Sequence, residues 1–340
     1  MNRTGITILI STYNGGLRLE QTLKSLSEIN ISLIPFVELI LVDNASTDNT
    51  LKVGKVFWEK FGTPFPITLL SENVPGKINA QEKGLLNAQG KYIIICDDDN
   101  SLFPDYLSIG YQFLENNQNI GVLGGRGIGR SPNGFPNWFE KYSYFYGCAP
   151  QAPLTGNVQP TRNVVYGAGM WFRYDAYLKT KEFGYKFILT GRQGKKLIAG
   201  EDSELCWIIR FQNYDIWYID EMKFYHYITE NRLTEEYCKR LILGMTENGL
   251  NSTIHNRIWN KIIHKKVSNF WLKELVYCMI YIFKIPLSKE IEDKQFDFRR
   301  VRNNIKVLLK ERSLYDQKVN RILDYKEKCE MMLETSKERE

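Results

Sequence analysis

Histidine is scarce in this sequence. There are three in 340 residues, none within an HExxH pattern, which argues against a dedicated zinc cage. The six cysteines, at 96, 148, 206, 238, 278 and 329, never form a CxxC pair, and several lie in apolar runs. That is the pattern of reduced, mostly buried thiols in a cytosolic protein. The apolar run of the C-terminal third, Leu275 to Phe283, has nine residues, too few to cross a bilayer. The amino terminus offers only a five-residue apolar stretch with no cleavage pattern, so a first strand is expected there and not a signal peptide. The sequons at Asn30, Asn44 and Asn251 are then chance matches. Simple nucleotide signatures are missing too. In "VPGKIN", Ser71 stands where a Walker loop needs its first glycine and Ile78 follows the lysine, while "GGRGIGRSP" misses the GxGxxG spacing. The chemistry must therefore rest on carboxylates.

What is present is an ordinary globular composition, 43% hydrophobic and 25% charged, long enough for one large domain and an appendage. The first half alternates β-like runs ("GITILIS", "VELILVD", "PITLLS", "YIIICD", "IGVLGG") with helical segments at Leu17 to Ile29, Asp48 to Phe61 and Ala80 to Ala88. This predicts an α/β domain with a mainly parallel sheet, whose ligand site lies beyond the carboxyl ends of the strands. Three such ends carry polar clusters: Ser11 to Asn14, Asp43 to Asp48 and Asp97 to Asn100. From about 130 to 200 the pattern is irregular and aromatic, as expected of binding loops. "DIWYID" and "KFYHYI" read as two further β-like stretches, and residues 233 to 340 as mostly helical with a break near Pro286. The expected division is a catalytic domain over 1–250, with halves meeting near 125, and a helical region over 251–340.

The net charge of +6 is unevenly placed. Residues 251–340 hold 20 Lys plus Arg against 13 Asp plus Glu, leaving 25 against 26 for the rest. Lysines there interleave with Trp259, Trp271 and long apolar residues, which suits a helix lying in an anionic headgroup plane as well as one packed on the catalytic domain. A membrane surface is the expected partner; nucleic acid is not.

The stretch "KYIIICDDDN" runs five apolar residues into Asp97, Asp98 and Asp99. Three adjacent carboxylates repel, and persist most easily where a cation or a ring of donors offsets them. The bland alternative is a solvated turn capping the next helix.

Taken together, "ILISTYNGG", "LILVDNASTDNT", "NVPGKINAQEKGLLNAQGKYIIICDDDN", "YGAGMWFRYDAY" and "GEDSELCWIIR" resemble the family 2 glycosyltransferases, over residues 5 to about 245. The resemblance implies a GT-A fold, a nucleoside diphosphate sugar donor, expected to be UDP-linked, a divalent cation (Mn²⁺ or Mg²⁺), and transfer with inversion. The acceptor would be a glycan or lipid-linked chain of a cell-surface polysaccharide, at the cytoplasmic face of a membrane. It places Asp97 and Asp99 in a DxD motif, with Asp99 on the metal, Asp97 at the ribose and Asp98 open to either duty. Thr12 and Tyr13 would line the nucleoside pocket, unless Tyr13 is a buried strand-end residue. Asp43 is placed to accept from a base N–H or ribose hydroxyl, whereas Asp48 reads as a helix cap. Gln81 stands where many members have Arg, so a polar contact to the base survives and a cation is lost. Arg192, Lys195 and Lys196 form a basic loop suited to close over the diphosphate, or a solvated surface loop. In the acidic pair, the second member, Asp202, would be the general base; the helix dipole alone also favours acids there. His226 is an additional metal ligand or a satisfied structural residue. Rival readings are a metal-dependent sugar nucleotidyltransferase and a non-catalytic nucleotide-sugar or glycan-binding subunit.

Overall fold

The computed structural model describes every residue except 1–2, 160–161, 190, 193–196, 198, 248, 286–290 and 338–340; for 246–247, 291–293, 295–296 and 336–337 it describes the backbone only. The continuously apolar runs become central strands because helices cover both faces of the sheet. In chain order, the first half holds β1 (Ile6–Thr12), α1 (Leu19–Ser27), β2 (Val37–Asn44), α2 (Thr50–Lys60), β3 (Ile67–Glu72), α3 (Lys77–Asn87), β4 (Tyr92–Asp97), β5 (Asn100–Leu102) and α4 (Tyr106–Asn116). Then follow β6 (Ile120–Arg130), α5 (Phe139–Tyr142), β7 (Gly156–Asn157), β8 (Trp171–Arg173), α6 (Tyr174–Glu182), α7 (Glu201–Phe211) and β9 (Asp215–Tyr227). The chain closes with α8 (Glu235–Glu247), α9 (Gly249–Trp259), α10 (Phe270–Lys284), α11 (Ile291–Glu311) and α12 (Ser313–Lys337).

The sheet order is β3-β2-β1-β4-β8-β6-β9-β5, with β7 against β9. β1 pairs in parallel with both β2 and β4, in a register that sets Thr12 opposite Asp43 and Ser11 opposite Asp97. The three polar strand ends therefore share one edge. Alternate residues enter opposite cores. Ile6, Ile8 and Ile10 pack with Leu19, Leu23 and Trp58 on one face, while Leu9, Ile40 and Ile95 share the other with Ile208, Ile254 and Tyr325. The second core thus runs from the sheet through α7 into α9 and α12.

Three expectations change. The two β-like stretches are one strand, β9, whose pairing with β6 shifts register between Gly124 and Arg126. Trp171 and Phe172, read as part of a binding loop, form β8, inserted antiparallel between β4 and β6 and fully buried. The aromatic content there serves the core. Helix α3 begins at Lys77, earlier than the apolar periodicity suggested. Pro286 lies outside the described residues.

Candidate active site

The acidic turn after β4 has a protein cation for each carboxylate. Lys77 Nζ lies 3.0 Å from Asp97 Oδ1. Arg18 grips Asp98 with Nε at 3.1 Å from Oδ1 and a terminal nitrogen at 2.6 Å from Oδ2, and the Thr12 hydroxyl donates to the same Oδ2. Asp99 faces His226 Nε2 at 3.4 Å and Arg232 at 3.0 Å. The charge repulsion is therefore offset by side chains, and clustering alone does not demand a metal.

These pairs order the protonation states. Burial would raise Asp97, but the Lys77 ammonium outweighs it and holds the carboxyl below its usual value. Asp99 is likewise held well below, because the His226 and Arg232 charges overcome its burial. His226 shows the reciprocal effect: burial disfavours its charge, yet Asp99 pushes it up to about 10. Asp98 goes the other way, raised by burial despite Arg18.

Lys77 also reaches across the crevice, with Nζ 4.0 Å from Glu201 Oε1 at the start of α7. One ammonium thus links the end of β4 to an acidic pair more than a hundred residues later. Burial raises Glu201, with the neighbouring Asp202 charge adding to it. The Asp202 carboxylate is fixed by two backbone donors, Gly167 N–H at 2.7 Å and Ser203 N–H at 2.7 Å. Gly167 keeps this approach close: a Cβ there would sit 3.0 Å from the Asp202 side chain, which would have to give by a few tenths of an ångström. A cavity beside the pair is lined by Lys77, Gln81, Ile95, Gly167, Glu201 and Asp202 among others.

The remaining expected residues fall around the same edge. Tyr13 is 54% exposed at the end of β1, so it is not a buried strand-end residue. Asp43 keeps one buried carboxylate oxygen without a hydrogen-bond partner, an acceptor that a base N–H or ribose hydroxyl would satisfy. Gln81 shares the cavity of the acidic pair. Thr12 and Asp98 are engaged with one another and with Arg18; Gly15 is packed so closely over them that a Cβ would meet the Thr12 hydroxyl at 2.0 Å. Asp48 accepts from the Thr50 and Gly16 N–H groups and so ties the start of α2 to the β1–α1 loop, while the N-cap position expected of it belongs to Asn49. The Arg192 side chain is exposed, while its carbonyl accepts from Lys77 N–H at 3.3 Å; Lys195 and Lys196 lie outside the described residues.

The donor set suits a hard cation that keeps most of its shell for phosphate and water. Asp99 Oδ1 and His226 Nε2 lie 3.4 Å apart as an ion pair, so the imidazole must give up its proton before its nitrogen can join the Asp99 oxygen as a ligand. No group of three His, Cys, Asp or Glu able to hold a metal occurs among the described residues. A site with two protein ligands completed by a diphosphate fits Mg²⁺ or Mn²⁺ better than a closed zinc site.

The glycosyl transferase family 2 model matches residues 7–180, more than half of the chain, from the second residue of β1 through β8. The chain belongs to that family. A glucosyl-dolichyl phosphate glucuronosyltransferase of Haloferax volcanii is 23% identical over 206 residues, 59% of this chain and 62% of that protein. Curated relatives are thus matched over less than two thirds of their own length. Among solved structures, a mannosyltransferase from Pyrobaculum calidifontis in complex with GDP-Man and Mn²⁺ aligns with a TM-score of 0.53 at 16% identity, covering 76% of this chain and 65% of that one. S. aureus TarS 1–349 in complex with UDP-GlcNAc aligns with a TM-score of 0.50 at 15% identity, covering 91% and 92%. The fold is GT-A, a mostly parallel α/β sheet with a helical C-terminal region.

Sequence reasoning missed Lys77, Arg18 and Arg232. Lys77 carries a signal, a lysine directly after the glycine that opens α3, but as a phosphate loop the stretch fails. Arg18 and Arg232 had none beyond the requirement that three carboxylates be offset by something.

Proposed function

We propose that this family 2 member is an inverting glycosyltransferase. It would move a sugar from a nucleoside diphosphate sugar, UDP-linked, to a glycan or lipid-linked acceptor in cell-surface polysaccharide synthesis. The observation that carries this reading is the Lys77 bridge, which joins the acidic turn of β4 to the α7 acidic pair in one crevice. Tyr13 and the orphaned Asp43 oxygen receive the nucleoside, and Thr12 with Asp98 braces that wall. Asp97 takes the ribose hydroxyls, Gln81 lies toward the sugar, and Arg192 meets the diphosphate. A divalent cation, when bound, neutralises the diphosphate and the charge developing on the leaving oxygen; Asp99 and His226 are the residues that would hold it.

Asp202 takes the proton of an acceptor hydroxyl as that oxygen bonds to the anomeric carbon, while the carbon–oxygen bond to the diphosphate breaks on the opposite side. Its two backbone donors hold the carboxylate in place for this. Gly167, which donates to Asp202, follows Tyr166, whose ring the Arg162 guanidinium covers at 4.4 Å, and this segment is where we place the sugar acceptor. The Haloferax volcanii relative, a glucosyl-dolichyl phosphate glucuronosyltransferase, supports a lipid-linked acceptor, and an enzyme using one would work at the cytoplasmic face of a membrane. The Mn²⁺ in the mannosyltransferase complex supports the cation.

Titration calorimetry of UDP with and without Mn²⁺ tests the donor site. Binding should tighten strongly with the cation, and Asp99→Ala should abolish the difference. Equal affinity in both conditions overturns the metal assignment, and release of pyrophosphate in a donor screen overturns the transfer reaction.

A further inference from the structure

Helix α10 is apolar on both sides. Its inner side packs Trp271, Leu275, Cys278 and Ile282 against the core shared with α9 and α12, and its one carboxylate, Glu274, is buried in an ion pair with Arg257 of α9. Its outer side leaves Leu272, Val276, Tyr277, Met279, Ile280 and Phe283 uncovered, with Phe283 79% exposed. The only exposed charges on α10 are Lys273 and Lys284, one near each end. The neighbouring α11 exposes Arg299, Arg302, Lys306 and Lys310. Its described carboxylates are already used: Asp297 pairs with Arg300 at 2.8 Å and Glu311 with Lys318 at 2.5 Å.

We propose that this face docks on an anionic lipid surface, with α10 lying in the headgroup plane, its apolar side chains inserted and the surrounding lysines and arginines on the lipid phosphates. The chemistry is that of an interfacial helix: an apolar stripe, cationic borders and no free carboxylate among the described side chains. Insertion across the bilayer is excluded for α10, since 15 residues span only about 22 Å against a hydrocarbon core of about 30 Å. No described helix is long and apolar enough to cross. A second copy of the chain fits less well, because a two-fold pair sets the face against itself and brings the same cations together. The inference stands independently of the donor and acceptor assignments.

The test uses the full chain with phosphatidylcholine vesicles prepared with and without phosphatidylglycerol, read by co-sedimentation. Binding is expected with phosphatidylglycerol, weaker without it, and reduced by high salt. Lys273→Gln and Lys284→Gln should each weaken partitioning about five-fold. An Ile280→Asp/Phe283→Asp double variant should lose partitioning while keeping the wild-type melting curve and UDP titration. Failure of the wild type to bind anionic vesicles at low salt overturns the proposal, as does undiminished binding by the double variant. A self-associated wild type that the double variant turns monomeric, with no vesicle binding, also overturns it and assigns the face to a second copy.

Discussion

Asp202 and Glu201 sit side by side yet meet different surroundings, and single substitutions separate their roles. Asp202→Asn keeps the size and the backbone contacts but cannot accept a proton. Turnover should fall by roughly a hundred- to ten-thousand-fold with little change in UDP affinity, measured by steady-state transfer to a verified acceptor and by calorimetry. Glu201→Gln should cost less, and a reversal of that order moves the base to Glu201. Lys77 is held positive against its burial by Asp97 and Glu201. Lys77→Met leaves those two carboxylates facing without their shared cation. We expect a loss of about 2 kcal/mol in chemical denaturation, together with weaker UDP binding. Wild-type stability in that variant would mean the bridge is incidental.

At the scale of elements, α7 is anchored through Glu204, two residues beyond Asp202. This fully buried carboxyl accepts from the Tyr185 hydroxyl at 2.6 Å, from Ile188 N–H at 2.9 Å and from Leu189 N–H at 2.7 Å, fixing the chain that leads toward Arg192. Burial outweighs those donors and pushes Glu204 up to about 7. His255 of α9, 3.8 Å away, is pushed down to about 3 by its own burial. A carboxyl raised above its ordinary value of 4.5 stabilises the fold fully below that pH, and the contribution is lost as pH rises through about 7. The histidine works in the opposite sense: its contribution is present above its ordinary 6.5 and is lost as pH falls toward 3. The two slopes oppose each other in between. Unfolding free energies of wild type and Glu204→Gln, compared from pH 5 to 7.5 (about the range in which Glu204 titrates), should therefore differ by an amount that shifts against the wild type as pH rises. A constant difference would show that Glu204 does not titrate there.

Across the whole molecule, the C-terminal helices share a core with the catalytic sheet. The Tyr325 hydroxyl on α12 accepts from Gln212 Nε2 at 2.8 Å and donates to the Ile208 carbonyl at 3.1 Å, both within or just beyond α7. Trp259 packs on Trp207 and Phe211. The expected boundary at 250 crosses this shared core, and we propose that residues 1–250 and 251–340 fold as one unit. Calorimetry should give a single transition, and Tyr325→Ala should move it as a unit, by about 3 kcal/mol at a buried aromatic. Two separable transitions would restore an independent helical domain.

Apolar runs closed by polar clusters are local signals, so the parallel half of the sheet and the ends of β1, β2 and β4 are legible in the chain alone. The sequence also located the two acidic clusters and the family, since those motifs are contiguous in the chain. The short strands β5, β7 and β8 were not legible: two or three residues carry no periodicity, and a buried Trp-Phe pair reads alike in a loop and in a strand. Nor could the sequence say what offsets each carboxylate. Arg18, Lys77, His226 and Arg232 come from four separate segments, and only the closing of the start of α1, α3, β9 and the turn after it around β4 brings them to Asp97, Asp98 and Asp99. Pairing of charges depends on distance in space, which falls below 4 Å here between residues as much as 133 apart in the chain.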